Sequence, residues 1–131
     1  MLTKQEHIEY WKKTAASDWK VVQQLFEVKS YVQSLFFAHL VLEKLLKANW
    51  VKDNTGNYPP RIHNLVILAS KTSLQFNEDE VVFLGRMNDL QLEGRYPDYI
   101  KSIHKRYKLK EATQILKQTD QIRKCLLKSL Q

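Results

Sequence analysis

Leu35-Phe36-Phe37-Ala38-His39-Leu40-Val41-Leu42-Glu43-Lys44-Leu45-Leu46-Lys47-Ala48 is apolar almost all round and carries one narrow polar seam, His39, Glu43 and Lys47. Residues four apart lie above one another on a helix, so the three seam side chains form a line. An apolar helix of this kind belongs at the centre of a bundle or in a subunit interface. Part of it is expected in an interface, because a bundle of this size has little interior in which to hide a helix on every side. A symmetric homodimer is the default consequence.

The segments on either side support a helical hairpin. Thr3 followed by Glu6 has the spacing of a capping box, and Ile8, Trp11, Ala15, Val22 and Phe26 mark one face of a first helix running to about Val28. Ser30 with Gln33 repeats the capping spacing at once, so the second helix runs back antiparallel to the first. Asp53 through Pro60 stops it, since Gly56 and the paired prolines cannot continue a helix. A short third helix is expected from about His63 to Lys71, with Asn64 near its start and Leu65 and Leu68 inward. Asn77 then caps a fourth, with Glu80 at the capping-box position, Val81, Leu84, Met87 and either Leu90 or Leu92 on its apolar side, and Gly94 at its end. Arg95 through Tyr107 is expected as a basic, aromatic connection with at most one helical turn. The last helix has Leu109, Ala112, Ile115, Leu116, Ile122, Leu126 and Leu130 as its buried stripe, with Cys125 on the stripe side as a small buried hydrophobe. Trp11, Trp19 and Trp50 are expected in the core or an interface. The expectation is an all-α, up-and-down bundle of four to five helices forming a single domain over residues 1–131.

Bulk properties agree. A chain of 131 residues closes one core, and three Gly and three Pro are too few for a turn-rich β fold. One cysteine excludes an internal disulfide and suits a reducing cytosol. Charged residues near the N-terminus interrupt any signal peptide, and no run of about 20 apolar residues could span a bilayer, so a cytoplasmic protein with no membrane partner is expected. The formal net charge of +7, from 21 basic and 14 acidic residues, implies attraction to a polyanion or an acidic partner. Neither phosphate-cradling glycine motif occurs, nor the paired aspartates of a nucleotidyltransferase, so no cofactor is expected and the chain is not itself that enzyme.

Three segments in order resemble the HEPN domain, the "higher eukaryotes and prokaryotes nucleotide-binding" family: Phe37-Ala38 leading to Glu43-Lys44-Leu45-Leu46-Lys47-Ala48; Pro60-Arg61-Ile62-His63-Asn64-Leu65 with Leu68; and Arg95-Tyr96-Pro97-Asp98. The resemblance implies a dimeric helical bundle similar to the helical domain that accompanies some nucleotidyltransferases. In one branch it implies a companion of a separately encoded minimal nucleotidyltransferase, often as a toxin–antitoxin or related two-component module. In the other it implies a metal-independent ribonuclease. No Arg of this chain precedes a His with four to six residues between them, the spacing that the ribonuclease branch uses; Arg61 and His63 are too close, and eight residues separate Arg95 from His104.

The candidate residues follow from chemistry. Metal-free RNA cleavage needs a cation on the phosphate and a proton donor or acceptor near the 2′-hydroxyl, for which Arg95 with His104 or His63 are the candidates. Arg95 beside Tyr96 offers a fork for phosphate and a stacking face for a base. His39, Glu43 and Lys47, with Lys44 beside them, could line a nucleotide pocket or form a structural ion ladder. Two ligands four apart do not make a metal site without a third. Glu43 could instead hold Arg95, with Tyr96 in the core, and His63 could cap the short helix or reach the seam. The Lys101 to Lys110 segment, interleaved with Tyr99 and Tyr107, could meet RNA or an acidic protein. The expected ligand is a nucleotide or RNA phosphate near Arg95; the alternatives are an atypical metal-independent ribonuclease and an inactive helical scaffold with neither activity nor ligand.

Overall fold

A computed structural model describes residues 1–131, all helix and connection. Six α-helices occur: α1 (Lys4–Glu27), α2 (Tyr31–Asp53), α3 (Leu65–Ser70), α4 (Glu78–Met87), α5 (Pro97–Arg106) and α6 (Leu109–Lys128), with a 3-10 turn at Asn88–Leu90 directly after α4. None is long and apolar enough to cross a membrane.

The α1–α2 hairpin is the frame. Thr3 and Glu6 form the expected capping box. At the turn, the Ser30 N–H bonds to the Leu25 carbonyl and the Lys29 N–H to that of Phe26, with Lys29 at φ 64°. That is a Schellman closure with lysine where glycine is usual. Ser30 flanks α2, but its side chain makes no capping bond, so the second expected capping box is absent. The α2 C-terminus is closed from outside: the Lys4 ammonium donates to the carbonyls of Val51, Asn54 and Gly56 at 2.7, 2.8 and 3.0 Å, satisfying acceptors that a helix end leaves open.

Most of helix α2 is buried within this one chain, while Phe36, Phe37, Leu40 and Trp50 are half-buried. Leu35, Ala38, Val41, Leu42, Leu45 and Leu46 are fully buried against α1, α6, α3 and the 3-10 turn. Two of its buried polar side chains bond to backbone carbonyls: Ser34 Oγ donates to that of Val22, and Asn49 Nδ2 to those of Leu45 and Leu126. Asn49 meets Leu126 and Ser129 near one end of the pair, while Tyr31 and Val32 share a surface with Tyr107 and Lys108 at the other. Helix α6 therefore runs parallel to α2 and antiparallel to α1.

Several placements differ from the sequence reading. Residues 97–106 form a full helix, because Tyr99, Ile100, Ile103 and Tyr107 recur at helical spacing and Pro97 starts it. Helix α4 ends at Met87 rather than at Gly94, which instead takes φ 73° in a turn closed by Arg95 N–H on the Leu92 carbonyl, the pattern of a type II turn. Phe83 takes the inward place on α4, so Val81, two residues away and on the opposite side, is exposed; Leu90, not Leu92, is fully buried. The α6 stripe runs Ala112, Ile115, Thr119, Ile122 and Leu126, leaving Cys125 and Leu109 exposed and Leu116 and Leu130 half-buried. The three tryptophans are half-buried.

Candidate functional site

The polar seam of α2 is buried, with His39, Glu43 and Lys47 exposed by 0, 5 and 8%. Glu43 is its node. Oε2 accepts from Lys47 Nζ at 3.0 Å, and Oε1 accepts from His63 Nδ1 at 3.0 Å, from the segment leading into α3. A carboxylate only accepts, so His63 carries its proton on Nδ1 and its Nε2 is left for other partners. The His63 carbonyl in turn accepts from His39 Nε2 at 3.1 Å. His63 is thus held twice, by its ring and by its backbone, and it reaches the seam rather than capping the helix. Asn64 caps, accepting from the Ile67 N–H at 3.1 Å.

Beside His63 lies an open groove of about 190 Å³ lined by His63, Asn64, Asn88, Gln91 and Arg95, with no apolar side chain in its wall. Three amides stand there, and in each the oxygen is already taken. Asn64 Oδ1 accepts from Ile67 N–H, Asn88 Oδ1 from Leu65 N–H at 2.9 Å, and Gln91 Oε1 from Glu93 N–H at 2.8 Å. What each retains is its NH2 donor, and Gln91 Nε2 is buried without a partner. Arg95 completes the set. Its Nε donates to the Gln91 carbonyl at 3.1 Å, its guanidinium lies 4.3 Å from the centre of the Tyr99 ring, and no carboxylate pairs with it. Burial pushes the Tyr99 phenol up from its usual range against the opposing pull of Arg95, and the hydroxyl donates to the Asp89 carbonyl at 2.6 Å. The groove is therefore rich in donors, with the Arg95 cation and the His63 ring at its wall.

The expected residues divide between this groove and other duties. His63 and Arg95 are brought together. Glu43 does not hold Arg95; both its oxygens are occupied by Lys47 and His63. Lys47 is spent on Glu43 and on the Trp11 ring, 5.6 Å away, and Lys44 points to α1, where it pairs with Asp18 at 2.6 Å. Neither lysine lines the groove. Tyr96 is 81% exposed rather than in the core. His104 sits in the last turn of α5, facing a different surface shared with Lys29, Tyr31 and Tyr107, so it is not a partner for Arg95. Asn88 and Gln91 were not singled out from the sequence, although Asn88, Gln91 and Arg95 are spaced three and four apart, the helical spacing that gathers side chains on one side.

His39 has a solvent-linked consequence. Burial holds its pKa below the ordinary 6.5, outweighing the attraction of Glu43, whose Oε1 is 3.9 Å from the unpartnered Nδ1. The unfolded chain therefore binds a proton near pH 6.5 that the folded chain binds only at lower pH. Stability is full above that value and falls as pH drops through it, by up to about 1.4 kcal/mol per pH unit for one proton. Chemical denaturation of the native chain is expected to show this slope between pH 7 and 5, and His39→Gln is expected to flatten it; an unchanged slope would show that His39 is not its source.

The family model of the HEPN domain matches residues 8–130, from within α1 to just beyond α6. No curated protein and no solved structure matches the chain. The chain belongs to the HEPN domain family.

Proposed function

We propose that this HEPN-domain chain is a nucleotide- or RNA-binding module that recognises phosphate in the groove of His63, Asn64, Asn88, Gln91 and Arg95. Family membership supports such a module at the coarse level. The observation that carries the specific reading is the donor-rich lining: each of the three amide oxygens already accepts a backbone N–H, and the groove offers the NH2 groups of Asn64 and Asn88 beside the Arg95 guanidinium, with no carboxylate in its wall. Such a surface suits an anion with several acceptor oxygens, and a fork-shaped guanidinium suits phosphate in particular.

The Glu43–His63 pair favours a second reading, a metal-independent ribonuclease. With Nδ1–H fixed on Glu43, His63 Nε2 is free to take the 2′-hydroxyl proton of an RNA whose phosphate lies on Arg95. The 2′-oxygen then attacks phosphorus, and the proton passes to the leaving 5′-oxygen, giving a 2′,3′-cyclic phosphate and a 5′-hydroxyl. His104 has no part in this version.

The companion role is proposed alongside the binding role: a homodimer that pairs with a minimal nucleotidyltransferase in a toxin–antitoxin or related two-component module. The missing transferase motifs and the basic surface are consistent with a non-catalytic partner.

Three experiments separate these readings. Asn88→Asp and Asn64→Asp keep the oxygen that accepts from the backbone while removing a donor and adding negative charge, so both variants should fold. Both, like Arg95→Ala, are expected to weaken AMP binding by about 10- to 100-fold in calorimetry, the worth of a hydrogen bond to a charged group; unaltered affinity in all three rejects the groove. Purified chain incubated with RNA and chelator should yield 2′,3′-cyclic ends that His63→Ala reduces by about 10²-fold or more; cleavage that survives both His63→Ala and Arg95→Ala sinks the ribonuclease reading. Light scattering is expected to give the mass of two chains, and co-expression with a neighbouring transferase gene a complex that persists through gel filtration; a monomer that elutes apart from the transferase counts against the companion role.

A further inference from the structure

The charge of this chain is segregated. Residues 1–94 carry eleven basic and eleven acidic side chains, whereas residues 95–131 carry ten and three, so the whole formal net charge of +7 lies from Arg95 onward. Within that region Arg123 and Lys124 are spent on Asp120, but Lys101 and Lys105 have no acidic partner. Both stand on the exposed side of α5, whose other side is anchored by Ile103 and Tyr107.

That exposed side follows directly in sequence on the donor groove. Pro97, Asp98, Lys101, Ser102 and Lys105 line an open depression of about 520 Å³, with Asp98 its one acid. Arg95 belongs to the donor groove and Pro97 to the depression, so Tyr96 alone stands between them in sequence, with its ring 81% exposed and stacked on no other aromatic side chain. Lys101 and Lys105 are one helical turn apart on α5, about 6 Å along its axis. Phosphate donors, then an exposed ring, then evenly spaced ammonium groups make a linear pattern that a mononucleotide would not fill. A polynucleotide presents phosphates and stacking faces in alternation, which matches cations on both sides of an exposed ring.

Resting on the phosphate reading of the groove, we propose that its ligand is a single-stranded nucleic acid, whose backbone leaves the groove past Tyr96 and runs along α5 with phosphates on Lys101 and Lys105.

The test compares a labelled hexauridylate, a hexathymidylate, a six-base-pair duplex, a polyglutamate peptide and AMP on the full chain. A single strand, of either sugar, should bind at least tenfold tighter than AMP at low salt. Lys101→Ala with Lys105→Ala should weaken the hexamer about tenfold and reduce its log-affinity against log-salt slope by about 1.4, two phosphates at roughly 0.7 each. AMP, held by the groove alone, should bind as before. Tyr96→Ala should weaken the hexamer by about fivefold or more. Hexamer affinity and slope unmoved by the lysine pair would overturn the track, as would competition by the duplex or polyglutamate equal to that of the hexamer. AMP binding that depends on Arg95 while the hexamer ignores α5 defeats this inference alone; loss of all binding to the native chain defeats the groove as well.

Discussion

A single buried carboxylate organises this molecule. Glu43 lies on the central helix of an all-helical bundle, almost wholly out of water, where an unpaired charge would cost several kcal/mol. It is tolerated because its two oxygens are engaged separately, one by Lys47 from its own helix and one by His63 from a segment twenty residues further along the chain. The first bond is local and sequence-adjacent. The second is a tether: it fixes the irregular stretch after Pro60 against α2, and the His39 ring holds the backbone of that stretch at His63. The seam is therefore structural and functional in different atoms, since the tether that neutralises Glu43 also sets the direction in which His63 Nε2 points.

The same economy recurs in the groove. Asn64 and Asn88 each use their oxygen to terminate helix α3, one by capping it from within and the other by accepting the Leu65 N–H from across the fold. Gln91 uses its oxygen on the loop that delivers Arg95. Backbone N–H groups need acceptors when they are buried, and they find them here in side-chain amides. The consequence is electrostatic: with one lone pair of each oxygen committed to a backbone N–H, the Asn64 and Asn88 side chains keep their NH2 donors for other partners. The proposed preference for an anion would thus be a by-product of satisfying helix ends and a turn.

Much of the fold was legible in the sequence because it rests on local rules. Thr3 with Glu6 and Asn77 with Glu80 both cap as their spacing says, and the run from Leu35 to Ala48 is central as its composition says. What was not legible depends on tertiary partners. The turn at Lys29 is a glycine geometry held by lysine, so no residue type announces it. Helix α5 was obscured because its four apolar residues are outnumbered by charged and polar neighbours, although Tyr99, Ile103 and Tyr107 keep helical spacing. Of the site, Arg95 and His63 could be named, yet their meeting could not. The sequence pattern pairs an arginine most naturally with the nearest acid of the seam, and nothing local reveals that His63 reaches Glu43 first. Cys125 shows the narrower lesson that a stripe advancing by alternate threes and fours leaves out the residue beside each step.

The partition of charge gives the architecture its division of labour. In the first 94 residues acids and bases balance, and the pairs formed there, Lys44 with Asp18 and Lys47 with Glu43, tie helices together or neutralise burial. From Arg95 onward the cations outnumber the acids, and those on α5 have no partner within the chain. Uncompensated like charges on one short helix repel one another and the helix gains nothing from them in stability. Helix α5 is also the element held most lightly, anchored chiefly by Ile103 and Tyr107. Lys44 and Lys47 have acidic partners where they tie helices together or lie buried, whereas Lys101 and Lys105 stand exposed and unpaired on α5, so part of the chain's excess positive charge is left uncompensated there.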